Sequence, residues 1–310
     1  MTRLEAFAPA RDPSRPGPGP LPETLLRALD LTIARRVEGL LAGDYRSTLL
    51  GLGTELAQVR PYEPGDDVRR IDWNVTARTR VPHVRVDLAE RVMTTWLVLD
   101  TSASMSFGTA DRRKADVAEG VALALGHVAT RRGNRLGILT FGTQNPRILP
   151  PRQGRAGLLG LLTALHEESE AESGPTSFTE SFRRVSGAAR QRALVAVVSD
   201  FRGPYVWREA LLALAGRHDV LAIEIRDPRE QALPDVGELW LVDPETGRRL
   251  RVDTKSEKLR ERFAEAAENE RAALARMMAG LGVRHVVLST SGDWLRTLVP
   301  FLKRGRAQRR

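Results

Sequence analysis

The chain has 310 residues, no cysteine and a hydrophobic fraction of 42%. Its length suits one large α/β domain with an appendage, and the lack of cysteine excludes disulfides, thiolate metal sites and cysteine nucleophiles. The net charge of +9 is mostly arginine spread along the chain, aromatic residues make up 5%, and no common nucleic-acid-binding module is present. We therefore expect no nucleic-acid partner.

The first 90 residues differ in pattern from the rest. Residues 1–20 are rich in Pro and Gly without an apolar signal-peptide region, so we predict a disordered tail. Apolar residues recur at helical spacing over about 22–42, which predicts an amphipathic helix, and 81–87 alternates as a strand does. We expect 21–90 to form this helix and a small β/turn appendage. The lack of cysteine favours a cytosolic compartment. No apolar run is long enough to span a membrane, so we expect a soluble protein.

A regular alternation of strands and helices begins at residue 91. We predict strands at 93–99, 136–141, 194–198, 220–225 and 283–288, an antiparallel edge at 147–149, and a hairpin of 239–242 with 250–252. Helices are predicted at 113–131, 155–166, 177–188, 206–216, 255–281 and 293–302. This order is typical of an α/β fold, a doubly wound and mostly parallel sheet with helices on both faces. We place that domain at 91–302, followed by a basic tail at 303–310.

Oxygen-bearing side chains follow the two most apolar strands. Asp100, Ser102 and Ser104 follow the strand at 93–99, Asp200 follows the strand at 194–198, and Thr176 precedes a helix. Ligands of open α/β sheets bind beyond the carboxyl ends of the strands, so we expect these side chains to lie together. Mg²⁺ is a hard cation that takes six oxygen ligands, and carboxylates and hydroxyls both supply oxygen. The pattern predicts a site for one divalent cation, Mg²⁺ or Mn²⁺, that keeps a position for a partner's carboxylate.

A structural interpretation of the same residues stays open. Asp-x-Ser-x-Ser by itself is weakly specific, and serines at a strand-to-helix turn are common N-caps. The stretch from Ser177 to Glu180 matches a capping box, which leaves Thr176 just outside its helix and free to face the strand ends.

Two sets of motifs resemble known families. Asp-x-Ser-x-Ser followed by a threonine and a second aspartate is similar to the metal-ion-dependent adhesion site of von Willebrand A domains. The chain also resembles the bacterial "domain of unknown function 58" family over about residues 40–300. This resemblance is carried by the block 60–73 and by the segments 99–105, 198–201 and 227–230. Two departures are Thr76, where the family often has Ser, and Pro175, where Gly is frequent. Neither removes a ligand oxygen.

The resemblance implies a von Willebrand A-like fold, a cytoplasmic location and a working link to MoxR-type AAA+ ATPases, which are thought to mature or assemble other complexes. It also implies five cation ligands, which are Asp100, Ser102, Ser104, Thr176 and Asp200. Asp200 is expected to bind the cation either directly or through a water molecule.

The block 60–73 has two interpretations. Pro64-Gly65-Asp66 is strong turn chemistry, and charged residues surround it. The block is either a docking surface for the ATPase or a turn held by local ion pairs with Trp73 packed on the sheet. We favour the second, because the chemistry is that of an ordinary turn and single exposed ion pairs contribute little.

We predict a non-enzymatic, metal-dependent protein-binding module, an adaptor that binds an acidic residue of the ATPase or of its client. One alternative is a Mg²⁺-dependent phosphatase or hydrolase that uses Asp100. Phosphohydrolases of the haloacid dehalogenase type have Asp-x-Asp where this chain has Asp100-Thr-Ser102, and no general acid, P-loop or Gly-x-Ser-x-Gly motif is found. Another alternative is a scaffold with a vestigial metal site, whose surface arginines carry the interaction.

Overall fold

A computed structural model of the chain describes residues 50–51, 55–88, 93–130, 134–154, 156–157, 160–161, 164, 177–242 and 247–304. The predicted tail at 1–20, the predicted helix at 22–42, Thr176 and residues 305–310 of the basic tail lie outside these ranges. The predicted helix at 155–166 is described only at residues 156–157, 160–161 and 164, all of which are helical.

The N-terminal part of the described chain is a small antiparallel sheet. Its strands are β1 (Leu50–Gly51), β2 (Glu55–Pro61) and β3 (His83–Leu88), in the order β1-β3-β2. Between β2 and β3 lie a 3-10 turn and helix α1 (Trp73–Thr79), which begins where the Asp72 carboxylate accepts hydrogen bonds from the next backbone amides.

The block 60–73 forms the local ion pairs that the turn interpretation predicts. The prediction that Trp73 packs on the sheet is wrong. Arg60 pairs with Asp66 at 2.7 Å, and Arg85 of β3 pairs with Asp72 at 2.8 Å. Trp73, however, is 71% exposed. The reason is that Asp72, only 7% exposed, occupies the position that faces the sheet and makes the contact with β3.

The second sheet has six strands in the order β11-β8-β7-β4-β5-β6. They are β4 (Thr94–Asp100), β5 (Arg135–Phe141), β6 (Ile148–Gln153), β7 (Leu194–Ser199), β8 (Asp219–Arg226) and β11 (Arg284–Ser289). All neighbours are parallel except β6, which is antiparallel to β5 as predicted. β6 extends past the predicted 147–149 through Pro150 and Pro151, which an edge strand tolerates because it needs no further ladder partners there.

Helices cover both faces of this sheet. They are α2 (Lys114–Ala129), α3 (Phe178–Ala188), α4 (Arg208–Arg217), α5 (Glu257–Gly280) and α6 (Trp294–Arg304). A separate hairpin is formed by β9 (Glu238–Val242) and β10 (Arg249–Asp253). Along β4, Leu97 and Leu99 pack into a core with α2 and α6, whereas Trp96 and Val98 pack into a second core with α3, α4 and α5. The predicted doubly wound α/β architecture is therefore confirmed.

The chain order of the strands reverses beside β4. From β4 the chain proceeds to β5 and β6 on one side, then returns to β7, β8 and β11 on the other. The point of reversal lies between β4 and β7, where Leu99 pairs with Val198. Doubly wound sheets bind ligands in the crevice at this point.

None of the helices in the described part of the chain combines the length and apolar character needed to cross a membrane.

Candidate metal centre

Asp100 ends β4 at the point of reversal, and both of its oxygens are fixed. It is 3% exposed. Its Oδ1 accepts a hydrogen bond from the backbone amide of Ser102 at 3.0 Å, and its Oδ2 accepts one from the Ser199 hydroxyl at 2.6 Å. The carboxylate is thus held by its own turn on one side and by the end of β7 on the other.

The turn after β4 presents two buried hydroxyls. Ser102 and Ser104 are 2% and 7% exposed, and their Oγ atoms lie 3.1 Å apart. Ser102 occupies the N-cap of a 3-10 turn, yet its side chain makes no capping hydrogen bond. The alternative in which the Ser102 hydroxyl is an ordinary cap is therefore wrong, because the hydroxyl faces Ser104 instead.

Gly142 brings β5 against this serine turn. Its φ is +92°, and a Cβ built there would lie 2.6 Å from the Ser102 nitrogen. Since a side chain would meet backbone at that distance and strain the left-handed conformation, only glycine fits without a shift.

Asp200 follows β7, and its backbone geometry is held by its neighbours. Its Oδ1 accepts a hydrogen bond from the Arg202 amide at 3.2 Å. Phe201 has a left-handed φ of +51°, and its amide donates to the Ser199 hydroxyl at 2.9 Å while its ring stacks on Phe178 of α3. Ser199 therefore ties Asp100 to the loop that carries Asp200.

Lys114, which the sequence analysis did not single out, is buried against the second carboxylate. The residue is fully buried, and its Nζ donates to Asp200 Oδ2 at 2.6 Å and to Glu230 Oε1 at 2.7 Å. A signal was available in the sequence. Lys114 lies three and seven residues before Val117 and Val121, so it falls on the apolar stripe of α2, which packs on the sheet.

Asp227 anchors the loop between the serine turn and α2 to the carboxyl ends of β8 and β11. Its buried carboxylate accepts hydrogen bonds from the Thr109 amide at 2.7 Å, the Thr290 hydroxyl at 2.7 Å and the Arg229 amide at 2.9 Å. Burial alone would raise the pKa of Asp227, but these hydrogen bonds together hold it below its usual value.

The electrostatics at Asp100 are unfavourable in the protein alone. Burial, and then the charge of nearby Asp200, raise the pKa of the Asp100 carboxyl to about 7, although hydrogen bonds from Ser199 and Ser102 oppose the shift. Lys114 is bonded to Asp200 and Glu230, and no cation among the described residues forms an ion pair with Asp100. A buried carboxylate in this position is stabilised by a cation placed beside it.

The carboxylate and hydroxyl oxygens at this site are of the type that binds a hard cation. No group of three or more His, Cys, Asp or Glu side chains in the described ranges is arranged to hold a metal ion. A cation held here would therefore need the serine hydroxyls as ligands beside the two aspartates. Thr143, which follows β5 at the same edge, is 3% exposed, and its hydroxyl has no hydrogen-bond partner within the described chain. This buried hydroxyl is therefore available for a hydrogen bond with a further polar group at this edge.

Four of the five sequence-predicted ligands lie at one edge of the sheet: Asp100, Ser102, Ser104 and Asp200. The fifth, Thr176, lies outside the described residues. Ser177 caps α3 as predicted, since its hydroxyl accepts a hydrogen bond from the Glu180 amide at 3.3 Å.

Comparison with known proteins finds relatives over most of the chain. The "Uncharacterized protein Rv1480" of Mycobacterium tuberculosis is 41% identical over 280 residues, which cover 89% of this chain and 87% of that protein. The "Uncharacterized protein MAV169" of Mycobacterium avium is 37% identical over 161 residues, which cover 50% of this chain and 92% of that protein.

Two solved structures show a weaker similarity. The "conserved hypothetical protein BatB" from Bacteroides thetaiotaomicron has a TM-score of 0.44 and 16% identity, covering 70% of this chain and 99% of that chain. The "SpRpn10 VWA domain" has a TM-score of 0.38 and 16% identity, covering 69% of this chain and 98% of that chain. Scores this low support no inference about function.

A family model described as "Protein of unknown function DUF58" matches residues 58–273, and this match includes the serine turn, Lys114 and Asp200. This match confirms the resemblance to the family. The chain belongs to the DUF58 family.

Proposed function

We propose that the chain is a protein-binding module that holds one divalent cation, Mg²⁺ or Mn²⁺, and uses it to bind an acidic residue of a partner. The proposed ligands are Asp100, Ser102, Ser104, Thr176 and Asp200. The observation that carries the proposal is the buried Asp100 carboxylate, which lies at the strand-order reversal and has no ion-pair partner in the described part of the chain.

The charge balance of this ligand set favours an acidic partner. Hydroxyl ligands contribute no charge, and the charge of Asp200 is partly neutralised by the ammonium of Lys114, which Asp200 shares with Glu230. A divalent cation held by Asp100 and a partly neutralised Asp200 stays short of negative charge. An incoming carboxylate supplies that charge and fills a ligand position, which is how hard cations with open positions bind acidic groups.

Binding rather than catalysis is the activity that the chemistry supports. None of the hydrogen bonds made by Asp100, Ser102 or Asp200 involves a histidine, and Lys114 is already paired with two carboxylates. The raised pKa of Asp100 belongs to the protein without a cation, and as a cation ligand this carboxylate would be ionised and occupied rather than free for general acid–base work. The residue two positions after Asp100 is Ser102, where an Asp-x-Asp phosphohydrolase has its acid. We therefore propose a non-enzymatic role.

The proposed partner is a MoxR-type AAA+ ATPase or its client, with the protein acting in the cytoplasm as an adaptor. Family membership supports this proposal, because the resemblance to DUF58 proteins carries the expectation of a link to such ATPases. The role would be to bring a client to the ATPase for maturation or assembly.

A pull-down against the cognate ATPase tests this function. Wild type, Asp100→Asn and the control variant Asp235→Asn, an exposed residue in the loop before β9, would be compared in Mg²⁺ and in EDTA, after circular dichroism has verified folding. We expect binding by wild type and Asp235→Asn in Mg²⁺ only, and none by Asp100→Asn. Binding that persists in EDTA and in Asp100→Asn would overturn the metal-dependent function.

A further inference from the structure

Lys114 is not one of the proposed cation ligands, but it contacts one of them, Asp200. It is the first residue of α2 and is fully buried, and its ammonium nitrogen contacts two carboxylates from different loops, those of Asp200 and Glu230. Burying an ammonium is costly, and removing one member of such an ion-pair cluster leaves an uncompensated buried charge. The Lys114 side chain is therefore part of the ion-pair cluster that holds the two loops together.

The surroundings of Lys114 hold its nitrogen in place. Its backbone amide donates to the Phe107 carbonyl at 2.9 Å, and its Nζ lies 5.9 Å from the centroid of the Phe107 ring, which adds a cation–π contact. Glu230 is fixed in turn, because its other oxygen accepts a hydrogen bond from the Asp227 amide at 3.0 Å in a capping box. The geometry leaves the ammonium little room to move away from Asp200.

We infer that Lys114 is a built-in counter-cation that competes with the metal for Asp200, lowers metal affinity in the free protein and makes the bound cation depend on a partner's carboxylate. This inference rests on the proposed metal centre. The ammonium takes one Asp200 oxygen at 2.6 Å, while the Arg202 amide takes the other at 3.2 Å. Asp200 therefore contributes less negative charge to a neighbouring cation than an unpaired carboxylate would.

The consequence is coupling between metal and partner. A site short of negative charge binds its cation weakly alone, and each acidic group that joins the shell raises the affinity. By thermodynamic linkage, the cation raises the affinity for that acidic group by the same factor. The protein would then retain its metal firmly only while its partner is bound.

A charge-balanced double variant tests the inference. Lys114→Met with Glu230→Gln removes one positive and one negative charge, so the net charge of the centre stays constant while Asp200 loses its ammonium. The double substitution also avoids leaving Glu230, a largely buried carboxylate, with Arg202 at 3.6 Å as its remaining ion-pair partner, as Lys114→Met alone would. Glu230→Gln alone is the matched control, because it leaves the ammonium to Asp200 only.

Mn²⁺ affinity, measured from the electron paramagnetic resonance signal of free Mn²⁺, is the readout. We expect the double variant to bind Mn²⁺ about tenfold more tightly than wild type, and Glu230→Gln to bind more weakly than wild type. A double variant that is folded by circular dichroism and binds Mn²⁺ no more tightly than wild type would show that Lys114 only holds the loops together, and would overturn the inference while leaving the metal centre intact. Absence of Mn²⁺ binding in all three proteins would overturn the metal centre and the inference with it.

Discussion

At the scale of single residues, the buried carboxylate of Asp100 links stability to metal binding. Its hydrogen bonds from Ser102 and Ser199 do not compensate for its burial and for the charge of Asp200, so its pKa rises from an ordinary 3.8 to about 7. The native state therefore keeps this group protonated at moderately acidic pH, and a cation bound beside the carboxylate would replace that proton.

This shift predicts a pH dependence of stability in the metal-free protein. Because the native pKa lies above the unfolded one, the native state binds more protons between the two values, and the stabilisation from this group is lost as the pH rises toward 7. In EDTA, we expect wild type to lose more free energy of unfolding between pH 5 and pH 7.5 than Asp100→Asn, which cannot ionise. Urea denaturation at both pH values measures the difference.

Mg²⁺ provides the control for this pH experiment. Addition of Mg²⁺ at pH 7.5 should restore stability to wild type but not to Asp100→Asn, since the cation replaces the proton at the ionised carboxylate. Parallel pH profiles for the two proteins in EDTA would contradict the assignment of the raised pKa to Asp100.

At the scale of elements, the centre depends on how tightly the end of β5 packs against the serine turn. Gly142 and Gly203 have nearly the same φ, +92° and +95°, but a Cβ at Gly142 meets the Ser102 backbone at 2.6 Å whereas one at Gly203 meets nothing within 4 Å. Alanine at Gly203 therefore adds backbone strain alone, whereas alanine at Gly142 adds the same strain and a clash with the serine turn.

Alanine substitution at the two glycines tests this packing. We expect Gly203→Ala to cost about 1 kcal/mol for its conformation alone. Gly142→Ala should cost about 2 kcal/mol more, because the added methyl displaces the serine turn, and it should also weaken Mn²⁺ binding. Urea denaturation and Mn²⁺ titration measure the two effects. Equal costs at both positions, with unchanged Mn²⁺ affinity, would show that the serine turn moves freely.

The elements also show what sequence patterns reveal and what they miss. The central strands are predictable because apolar runs such as 94–99 are buried on both faces. Helix α1 is missed because it has only seven residues and begins after a Pro-Gly turn, so its start depends on the local cap at Asp72. Lys114 is missed because lysines usually lie in solvent, and only the ion pairs with Asp200 and Glu230 explain its burial.

At the scale of the whole molecule, the doubly wound topology brings the candidate ligands together. Asp100 and Asp200 are far apart in the chain, but β4 and β7 are adjacent and parallel in the sheet. The pairing of Leu99 with Val198 places Asp100 beside Ser199 at the strand-order reversal. Helices cover both faces of the sheet, so side chains from different strands can come together around a ligand at the carboxyl ends of the strands.

The same topology explains why the position of the centre is predictable from sequence while its electrostatics are not. Runs of apolar residues locate the strand ends, and the residues that follow them give Asp100 and Asp200. The ammonium of Lys114 reaches Asp200 from a helix 86 residues earlier in the chain, and such a contact exists only in the folded protein.

Calorimetric titration with Mn²⁺ tests the central claim most directly. Wild type, Asp100→Asn and Asp66→Asn would be titrated after circular dichroism has verified that each is folded. We predict saturable binding of one Mn²⁺ by wild type and by Asp66→Asn, whose substitution lies in the turn after β2, and loss of binding in Asp100→Asn. Equal binding by Asp100→Asn would contradict a metal centre at the end of β4, and so would a lack of saturable binding up to millimolar metal both in wild type and in the variant that carries Lys114→Met with Glu230→Gln.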